Sequence, residues 1–501
     1  MTLGKSMVAK TKTQRFDLDA LLYAALGSPM AQTPRTPRPT ARRGAARAQK
    51  PLLEKPVKPS QRERLMRAMT ELAARDGYGE VTITRVCAEA GVSHATFYGQ
   101  FSDKEECFAA AYRDAAERIL GQMRNTSRTV ERAHAKRAAL SFLLQAIADD
   151  PAAGWLVFVE GLANRAQIPA ERERLMDAYE GAVEEFLSEA TEGEMLLDVP
   201  AIALVGAVRA IVSRRLRVGS ADQLPLLLED LETWIQAYAT PAGRTRWSTS
   251  AAAMLPTAPD PAHGVSQMPS AAKPSPLPKG RHGLSAAIVA RNHRERIMYA
   301  TAEVVHAKGY AEMTVADIVA AAGVAREVFY QHFADKQDAF LAAQQNNLYE
   351  NLAVGAIRFF EGPTWPERMW NVLDSITTFI ARQPIVANLR FVEPYAAGPE
   401  AIQRMDDATL NFTFFVAEGY AQHEQARALP HLASEAIAGA TFETIRNEIA
   451  HGRATELPRL LPRLTYVAIA PFTGPAEAVS EIERIATKRL RTPRRPAKTK
   501  P

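Results

Sequence analysis

Two short segments of the chain, 232 positions apart, carry side chains suited to recognising another polymer. Each segment follows a Gly-Val pair and mixes donors with acceptors over a few positions. The first holds Ser93, His94, Ala95, Thr96, Tyr98 and Gln100, and the second holds Arg326, Glu327, Tyr330 and His332. If one helix presents such groups together, they match the edges of base pairs in the major groove of DNA. The chemistry predicted is therefore recognition through hydrogen bonds.

The residues around each segment predict the helices that would position it. Apolar residues at helical spacing indicate an amphipathic helix before each segment. A second helix begins at Thr82 or Thr314, where a hydroxyl can cap free amides, and Asp317 adds a capping-box pattern. Glycines end the first helix and form the sharp turn before the third: Gly77, Gly91, Gly309 and Gly323. This is the order of a helix-turn-helix.

The chain is an internal duplication. Residues 62–108 align with residues 294–340 without a gap, and 20 of 47 positions are identical. The match resumes at an offset of 233, where Phe158-Val159-Glu160 falls on Phe391-Val392-Glu393. Two similar units therefore follow one another, and the Pro-, Ser- and Ala-rich segment between them predicts a flexible linker.

The segment TITRVCAEAGVSHATFYGQFSDKEECF, residues 82–108, resembles the DNA-binding segment of the TetR family of repressors. Its counterpart TVADIVAAAGVAREVFYQHFADKQDAF, residues 314–340, resembles that segment again. The shared features are AGV before the third helix, a Phe-Tyr pair, a further aromatic residue and Asp-Lys at the start of a fourth helix. The resemblance covers about 50 residues in each copy and becomes diffuse in the region that follows.

The resemblance implies an all-α fold of two tandem TetR-like units. Each unit has an N-terminal helix-turn-helix DNA-binding domain and a helical ligand-binding and dimerisation domain. The expected divisions are a basic disordered tail (1–59), a first helix-turn-helix domain (60–110), a first regulatory domain (111–240), a flexible linker (241–288), a second helix-turn-helix domain (289–342), a second regulatory domain (343–480) and a basic disordered tail (481–501).

The resemblance also assigns roles within each DNA-binding domain. The first turn of the third helix should meet base edges while flanking groups contact phosphates. Lys104 and Lys336, at the start of the fourth helix, combine a cation with free backbone amides and suit a phosphate. The full set of predicted DNA-contacting residues is Thr82, Ser93, His94, Ala95, Thr96, Tyr98, Gln100, Lys104, Thr314, Arg326, Glu327, Tyr330, His332 and Lys336.

The second copy departs from the family pattern. Ala325 lacks the capping hydroxyl of Ser93, and Glu327 places a carboxylate where phosphates would repel it. Arg326 can still read guanine and Glu327 can accept from cytosine, so we favour altered specificity over lost DNA binding. The opposite interpretation is a protein-interaction or scaffold protein that retains degenerate helix-turn-helix units.

The regulatory regions should enclose a small-molecule effector and pair with a partner. Two helix pairs are predicted to form the pairing surface, with ordinary core helices as the alternative: 201–216 with 224–238, and 433–449 with 457–469. Fusion suggests a pseudo-dimer within one chain, and the runner-up is a homodimer of chains. Ligand-binding residues remain unknown, and the candidate pocket aromatics are equally suited to the core: Trp155, Phe158, Trp365, Trp370, Phe379 and Phe391.

Composition narrows the class of protein further. Residues 1–59 carry a net charge of +9 and residues 481–501 carry +6, which leaves −10 for the remainder of a chain with net charge +5. Such basic tails are attracted to a polyanion. Two cysteines and no signal-like apolar stretch favour the cytoplasm, and no apolar run is long enough for a membrane span. We find no enzyme motif, metal-ligand cluster or cofactor motif, so the sequence predicts no enzyme activity.

Overall fold

The computed structural model describes residues 59–123, 132–161, 195–241, 246, 247, 250, 273–278 and 283–491, together with single positions between 174 and 187. Most residues of the two basic tails, 1–58 and 492–501, lie outside the described residues. The fold is all-α and consists of two tandem TetR-like units, as the sequence predicts.

The described part of the first copy is helical apart from one small two-stranded sheet. Its described helices are α1 (Gln61–Asp76), α2 (Ile83–Ala90), α3 (His94–Tyr98), α4 (Lys104–Ala116), α5 (Arg132–Asp149), α6 (Pro151–Trp155), α7 (Ala201–Arg217) and α8 (Leu228–Gln236). Wider π turns, Glu117–Gly121 and Leu156–Glu160, continue α4 and α6, and 3-10 turns cover Tyr78–Glu80 and Ala221–Leu227. Strands β1 (Met195–Leu197) and β2 (Ala239–Pro241) pair antiparallel, with Leu196 opposite Thr240.

The second copy repeats this order with longer helices. Its helices are α9 (Ala286–Glu312), α10 (Val315–Ala322), α11 (Arg326–His332), α12 (Lys336–Phe360), α13 (Trp365–Arg382), α14 (Pro384–Phe391), α15 (Pro394–Ala397), α16 (Pro399–Gln422), α17 (Leu432–Ala450), α18 (Leu461–Thr473) and α19 (Pro475–Arg491). The 3-10 turns are Glu424–Ala428 and Ala454–Leu460.

Local capping explains where the DNA-binding helices begin. The Thr82 hydroxyl accepts from the amide of Arg85, and Thr314 forms a capping box with Asp317, as predicted. At the third helix the Ser93 hydroxyl accepts from the Thr96 amide, whereas Ala325 provides no side-chain cap for α11. Replacing a capping residue by Ala typically costs about 1 kcal/mol, so α11 begins with weaker local support.

The two copies pack against each other through α7 and α17. A Cβ added at Gly206 would lie 2.7 Å from the Cβ of Glu443, and one added at Gly439 would lie 2.8 Å from the Cβ of Ala210. Gly206 and Gly439 are equivalent positions of the repeat. Glycine is therefore required on both helices, because the crossing leaves no room for a side chain.

The structure revises the predicted boundaries. α19 continues to Arg491, so residues 481–491 are helical where a disordered tail is predicted. The second DNA-binding domain begins earlier than residue 289, because the Ser285 side chain caps α9. Within the predicted linker, Trp247 is buried and its ring lies 4.8 Å from that of Tyr466. Linker residues 251–272 lie outside the described part of the chain.

Hydropathy along the described helices bears on membrane insertion. No single described helix is long and apolar enough to cross a membrane. The helices His134–Asp149 and Pro151–Glu160 together have the length and apolar composition of a span, but the pair is bent by 107°.

Candidate nucleic-acid interface

The first recognition helix, α3, separates its core residue from its polar groups. Phe97 is fully buried against Phe101, with ring centroids 5.8 Å apart. His94 and Ala95 are exposed, and 58% of Tyr98 is accessible. The hydroxyls of Ser93 and Thr96 lie 3.0 Å apart, so part of their hydrogen-bonding capacity is used within the helix. His94, Ala95 and Tyr98 are therefore the exposed side chains of α3 itself.

The second recognition helix, α11, has the same scaffold and a different surface. Phe329 is buried, while Arg326 and Glu327 are exposed and 49% of Tyr330 is accessible. A guanidinium nitrogen of Arg326 lies 3.4 Å from the Tyr330 hydroxyl, an interaction that holds both side chains on one face. This surface therefore offers a cation and a carboxylate in place of the imidazole and hydroxyls of α3.

Two residues that are predicted to contact DNA, His332 and Gln100, are half-buried in the structure. The His332 ring packs 6.4 Å from that of His293 at the C-terminal end of α11. The backbone oxygen of Gln100 accepts a hydrogen bond from Arg62 at 2.8 Å, and its side chain is half-buried. Thr82 and Thr314 are exposed at the start of the second helix, where their hydroxyls serve as caps.

The predicted phosphate-binding role of Lys104 and Lys336 is not supported by their geometry. The Lys104 ammonium donates to the backbone oxygens of Val81 at 3.1 Å and Tyr78 at 3.4 Å, and it lies 4.1 Å above the Tyr78 ring. Lys336 contacts the equivalent region, donating to the oxygens of Tyr310 and Met313 at 3.1 and 3.0 Å. The Lys104 ammonium therefore joins α4 to the 3-10 turn before α2, and the Lys336 ammonium joins α12 to the end of α9 and to Met313.

Two further pairs of cations stabilise the domain in the same way. Arg62 and Arg294 donate to the backbone at the end of the recognition helices, and each covers a phenylalanine ring at 4.3 or 4.6 Å. Arg64 and Arg296 donate to the last carbonyl of the second helices. Cations at helix C-termini satisfy free carbonyls and interact favourably with the helix dipole. Sequence reasoning missed this role, although both pairs are identical between the copies.

One ion pair has exchanged its charges between the copies. Asp76 pairs with Arg85 in the first domain, and Lys308 pairs with Asp317 at 2.6 Å in the second. These positions are equivalent in the repeat. Hydrogen bonds from Lys308 and then Thr314 lower the pKa of Asp317 to about 2. The join between the first and second helices is thus retained by opposite side chains, which shows that the two domains have diverged while keeping one architecture.

Substitution of Lys104 by Ala is expected to reduce stability and leave the salt dependence of DNA binding unchanged. The loss should be about 1–2 kcal/mol, because charge-assisted hydrogen bonds to two carbonyls disappear. Thermal melting and fluorescence anisotropy across a salt series measure the two effects, with the exposed cation variant Arg67→Ala as the control. A phosphate contact would instead flatten the salt slope by about one unit.

Acid is expected to weaken the second DNA-binding domain. Burial lowers the pKa of His293 and His332 below the ordinary value of 6.5, with Arg296 lowering the first further and His293 and Arg294 the second. A depressed histidine pKa means that the unfolded chain binds protons more tightly. The folding stability of this domain is therefore complete above pH 6.5, the ordinary histidine pKa, and it falls as the pH drops below that value.

The His332→Gln variant, which copies Gln100 of the first domain, should reduce this loss. Melting temperatures of both proteins between about pH 7.5 and 5.5 provide the comparison. Equal pH dependence of the parent and variant would contradict the assignment to His332.

Most of the candidate pocket aromatics belong to the core. Trp365, Trp370 and Phe379 are at most 2% exposed, and the Trp365 indole donates to the oxygen of Phe415 at 3.0 Å. Phe158 is buried and Trp155 is half-buried. Phe391 differs, since it lines a cavity at the contact between the copies and a second cavity within the second copy.

The fold contains two helix-turn-helix units in one chain. The family described as bacterial regulatory proteins, tetR family, matches residues 65–111 and again residues 297–343. The chain belongs to the TetR family of DNA-binding transcriptional regulators and contains two tandem TetR-like units.

Two solved structures are similar over about one unit of the chain. One is the fatty acid degradation regulator FadR from Bacillus halodurans, with 14% identity, coverage of 36% of this chain and 96% of that chain, and a TM-score of 0.32. The other is the transcriptional regulator FadR from Bacillus subtilis in complex with stearoyl-CoA, with 18% identity, coverage of 38% and 96%, and a TM-score of 0.30. No curated protein matches the chain.

Proposed function

We propose that this chain is a transcriptional repressor that binds one asymmetric operator as a single-chain pseudo-dimer. The observation that carries the proposal is the difference between two exposed recognition surfaces on matched scaffolds. His94 stands where the second copy has Arg326, and Ala95 stands where it has Glu327. Because each surface offers different donors and acceptors, each should prefer a different half-site.

The contact between α7 and α17 supports pairing within one chain. Arg209 pairs with Glu443, and Arg215 donates to both carboxylate oxygens of Glu435 at 3.0 and 3.1 Å. The basic residues lie on α7 and the acidic residues on α17. Complementary charges of this kind favour pairing of unlike copies.

Pairing of two identical copies would lose these ion pairs. The repeat places Ala210 at the position of Glu443, and Ile202 at that of Glu435. In a pair of first copies Arg209 would therefore lack this carboxylate, and a buried charge without its partner is strongly unfavourable. The pseudo-dimer should accordingly contain one chain, with a mass near 54.9 kDa by light scattering.

A second contact between the copies also supports pairing within one chain. The Tyr238 hydroxyl donates to the oxygen of Val467 at 2.7 Å, and both residues are buried. A small-molecule effector that changed this packing would alter the spacing of the two recognition helices and release the operator. A DNA-binding role is consistent with the predicted cytoplasmic location.

Selection of bound sequences from random DNA by the full-length protein tests the proposal. We expect two unlike half-sites about one helical turn apart, or a multiple of it. Recovery of a perfect palindrome would contradict the asymmetric operator. Recovery of no preferred sequence would instead favour the scaffold interpretation.

A further inference from the structure

One ion pair between the copies reaches a different helix from the pairs between α7 and α17. Arg217, the last residue of α7, donates from Nε to the carboxylate of Asp406 on α16 at 3.1 Å, and a second guanidinium nitrogen contacts the same oxygen. The two side chains are 13% and 15% exposed. Arg214 and Arg215 both pair with Glu435 on α17. Arg217 therefore makes a separate link, from the first copy to α16 of the second.

The same part of α16 is bonded to the first turns of α12. Arg404 donates to the backbone oxygen of Leu341 at 2.8 Å and to the Gln345 Oε1 atom at 3.1 Å. The Gln344 amide nitrogen donates to the oxygen of Ala401 at 3.0 Å. Since α12 begins inside the second DNA-binding domain, the position of that domain depends on the position of α16.

The second DNA-binding domain has an apolar core of its own. Phe329 and Phe333 belong to a cluster of buried residues that extends to Ala401 of α16 and is separate from the main core. In the first copy, Phe97 and Phe108 belong instead to the main core, which includes residues at the contact between α7 and α17. The first domain is therefore fixed to the body of the protein by continuous apolar packing. The position of the second depends more on polar contacts, among them those of α16.

The link from Arg217 has no equivalent cation in the opposite direction. The repeat places Ala450 at the position of Arg217, and both residues end their helices. A methyl group cannot pair with a carboxylate, so the end of α17 offers the first copy no matching bond at this position. The first copy therefore restrains the second here, and the second does not restrain the first.

We propose that Arg217 is a positioning residue for the second recognition helix, which it holds at a defined distance from the first through Asp406, α16 and α12. Because each recognition helix has to meet its own half-site, that distance fixes the number of base pairs between the half-sites. The restraint on the two domains is a property of the protein alone, whereas its effect on operator spacing rests on the proposed DNA-binding function.

Distances between spin labels on the two domains of the full-length protein test the restraint without DNA. The labels are attached at Glu71→Cys on α1 and Glu312→Cys on α9, both exposed positions, and the two natural cysteines are buried. We expect a narrow distance distribution in the parent and a wider one in Arg217→Ala. A wide distribution in the parent, or an unchanged one in the variant, would overturn the proposal.

Arg368→Ala is the matched control. Arg368 of α13 pairs with Glu418 further along α16, and both side chains are half-buried, but the pair lies within the second copy. The control should keep the narrow distribution of the parent. Equal widening in both variants would show a general loosening of α16, and the specific role of Arg217 would then be rejected.

The double variant with Asp406→Ala provides a second measurement, because Arg217→Ala alone leaves a buried carboxylate without its partner. The double variant leaves neither charge unpaired and should therefore be the more stable of the two. Its distance distribution should widen as much as that of the single variant and no further, since both variants remove the same ion pair. A narrow distribution in the double variant would contradict the proposal.

Binding to operators with altered spacing tests the consequence for DNA recognition. One base pair inserted between the half-sites should weaken binding by the parent about tenfold or more, because the two domains can no longer engage both half-sites together. Arg217→Ala should lose clearly less, since its second domain can follow the displaced half-site, and its affinity for a single half-site should equal that of the parent. An equal loss in parent and variant would overturn the role in spacing. A protein whose labels respond as expected but which selects no operator would contradict the proposed function and leave the restraint intact.

Discussion

Replacing Glu443 by Ala is expected to lower the free energy of unfolding by about 3–5 kcal/mol, the range for breaking a buried ion pair. The Glu443 carboxylate pairs with Arg209 across the contact between the copies and accepts from Arg446 of its own helix at 2.8 Å. All three residues are at most 8% exposed. The substitution removes the carboxylate that two buried guanidinium groups share, and both charges stay buried without it.

Urea denaturation and light scattering measure this effect. Glu448→Ala is the matched control, because Glu448 lies on the same helix and pairs with the more exposed Arg453 at 2.7 Å. The control should lose less than about 1 kcal/mol. If the two copies of the Glu443 variant separate and associate with copies of other chains, light scattering should give a mass above the single-chain value of 54.9 kDa. Equal losses in both variants would contradict a special role for the contact between the copies.

Replacing His94 or Arg326 by Ala is expected to weaken operator binding by about 1–3 kcal/mol each, through different half-sites. Both side chains are exposed at the start of their recognition helices. A lost base contact removes discrimination and leaves general attraction to phosphates intact. Affinity for random DNA should therefore change little in either variant.

The two variants are best compared on operators in which one half-site at a time is randomised. His94→Ala should lose its effect when the first copy's half-site is randomised, and Arg326→Ala when the other is. Gln145→Ala, an exposed change on α5, serves as the control. An identical response of both variants to both operators would show that the copies do not read separate half-sites.

The local sequence was sufficient to predict each helix-turn-helix. Thr82, Ser93 and Thr314 cap the helices that follow them, and Gly91 and Gly323 adopt left-handed backbone angles at the turns. Capping and positive φ depend on residues only a few positions apart. The repeat provided a second test of each assignment, so the two tandem units could also be recognised from the sequence.

The hydrogen-bond partners of long cationic side chains could not be predicted from the local sequence. Lys104 and its backbone acceptors at Tyr78 and Val81 are more than 20 positions apart. A lysine at a helix start suits a phosphate as well as a neighbouring carbonyl, and only the packing of α4 beside the preceding loop decides between them. The same reason explains why Arg64 was not assigned to the end of α2.

The sequence alone determined the fold class, the duplication and the surfaces of the recognition helices, because these follow from periodicity, capping and burial within short segments. Only the tertiary structure decided how α7 and α17 cross at Gly206 and Gly439, and which charges meet there. It also decided that Arg217 of the first copy meets Asp406 of the second. Burial and ion pairing join residues far apart in the chain, so their outcome depends on the complete packing of both copies.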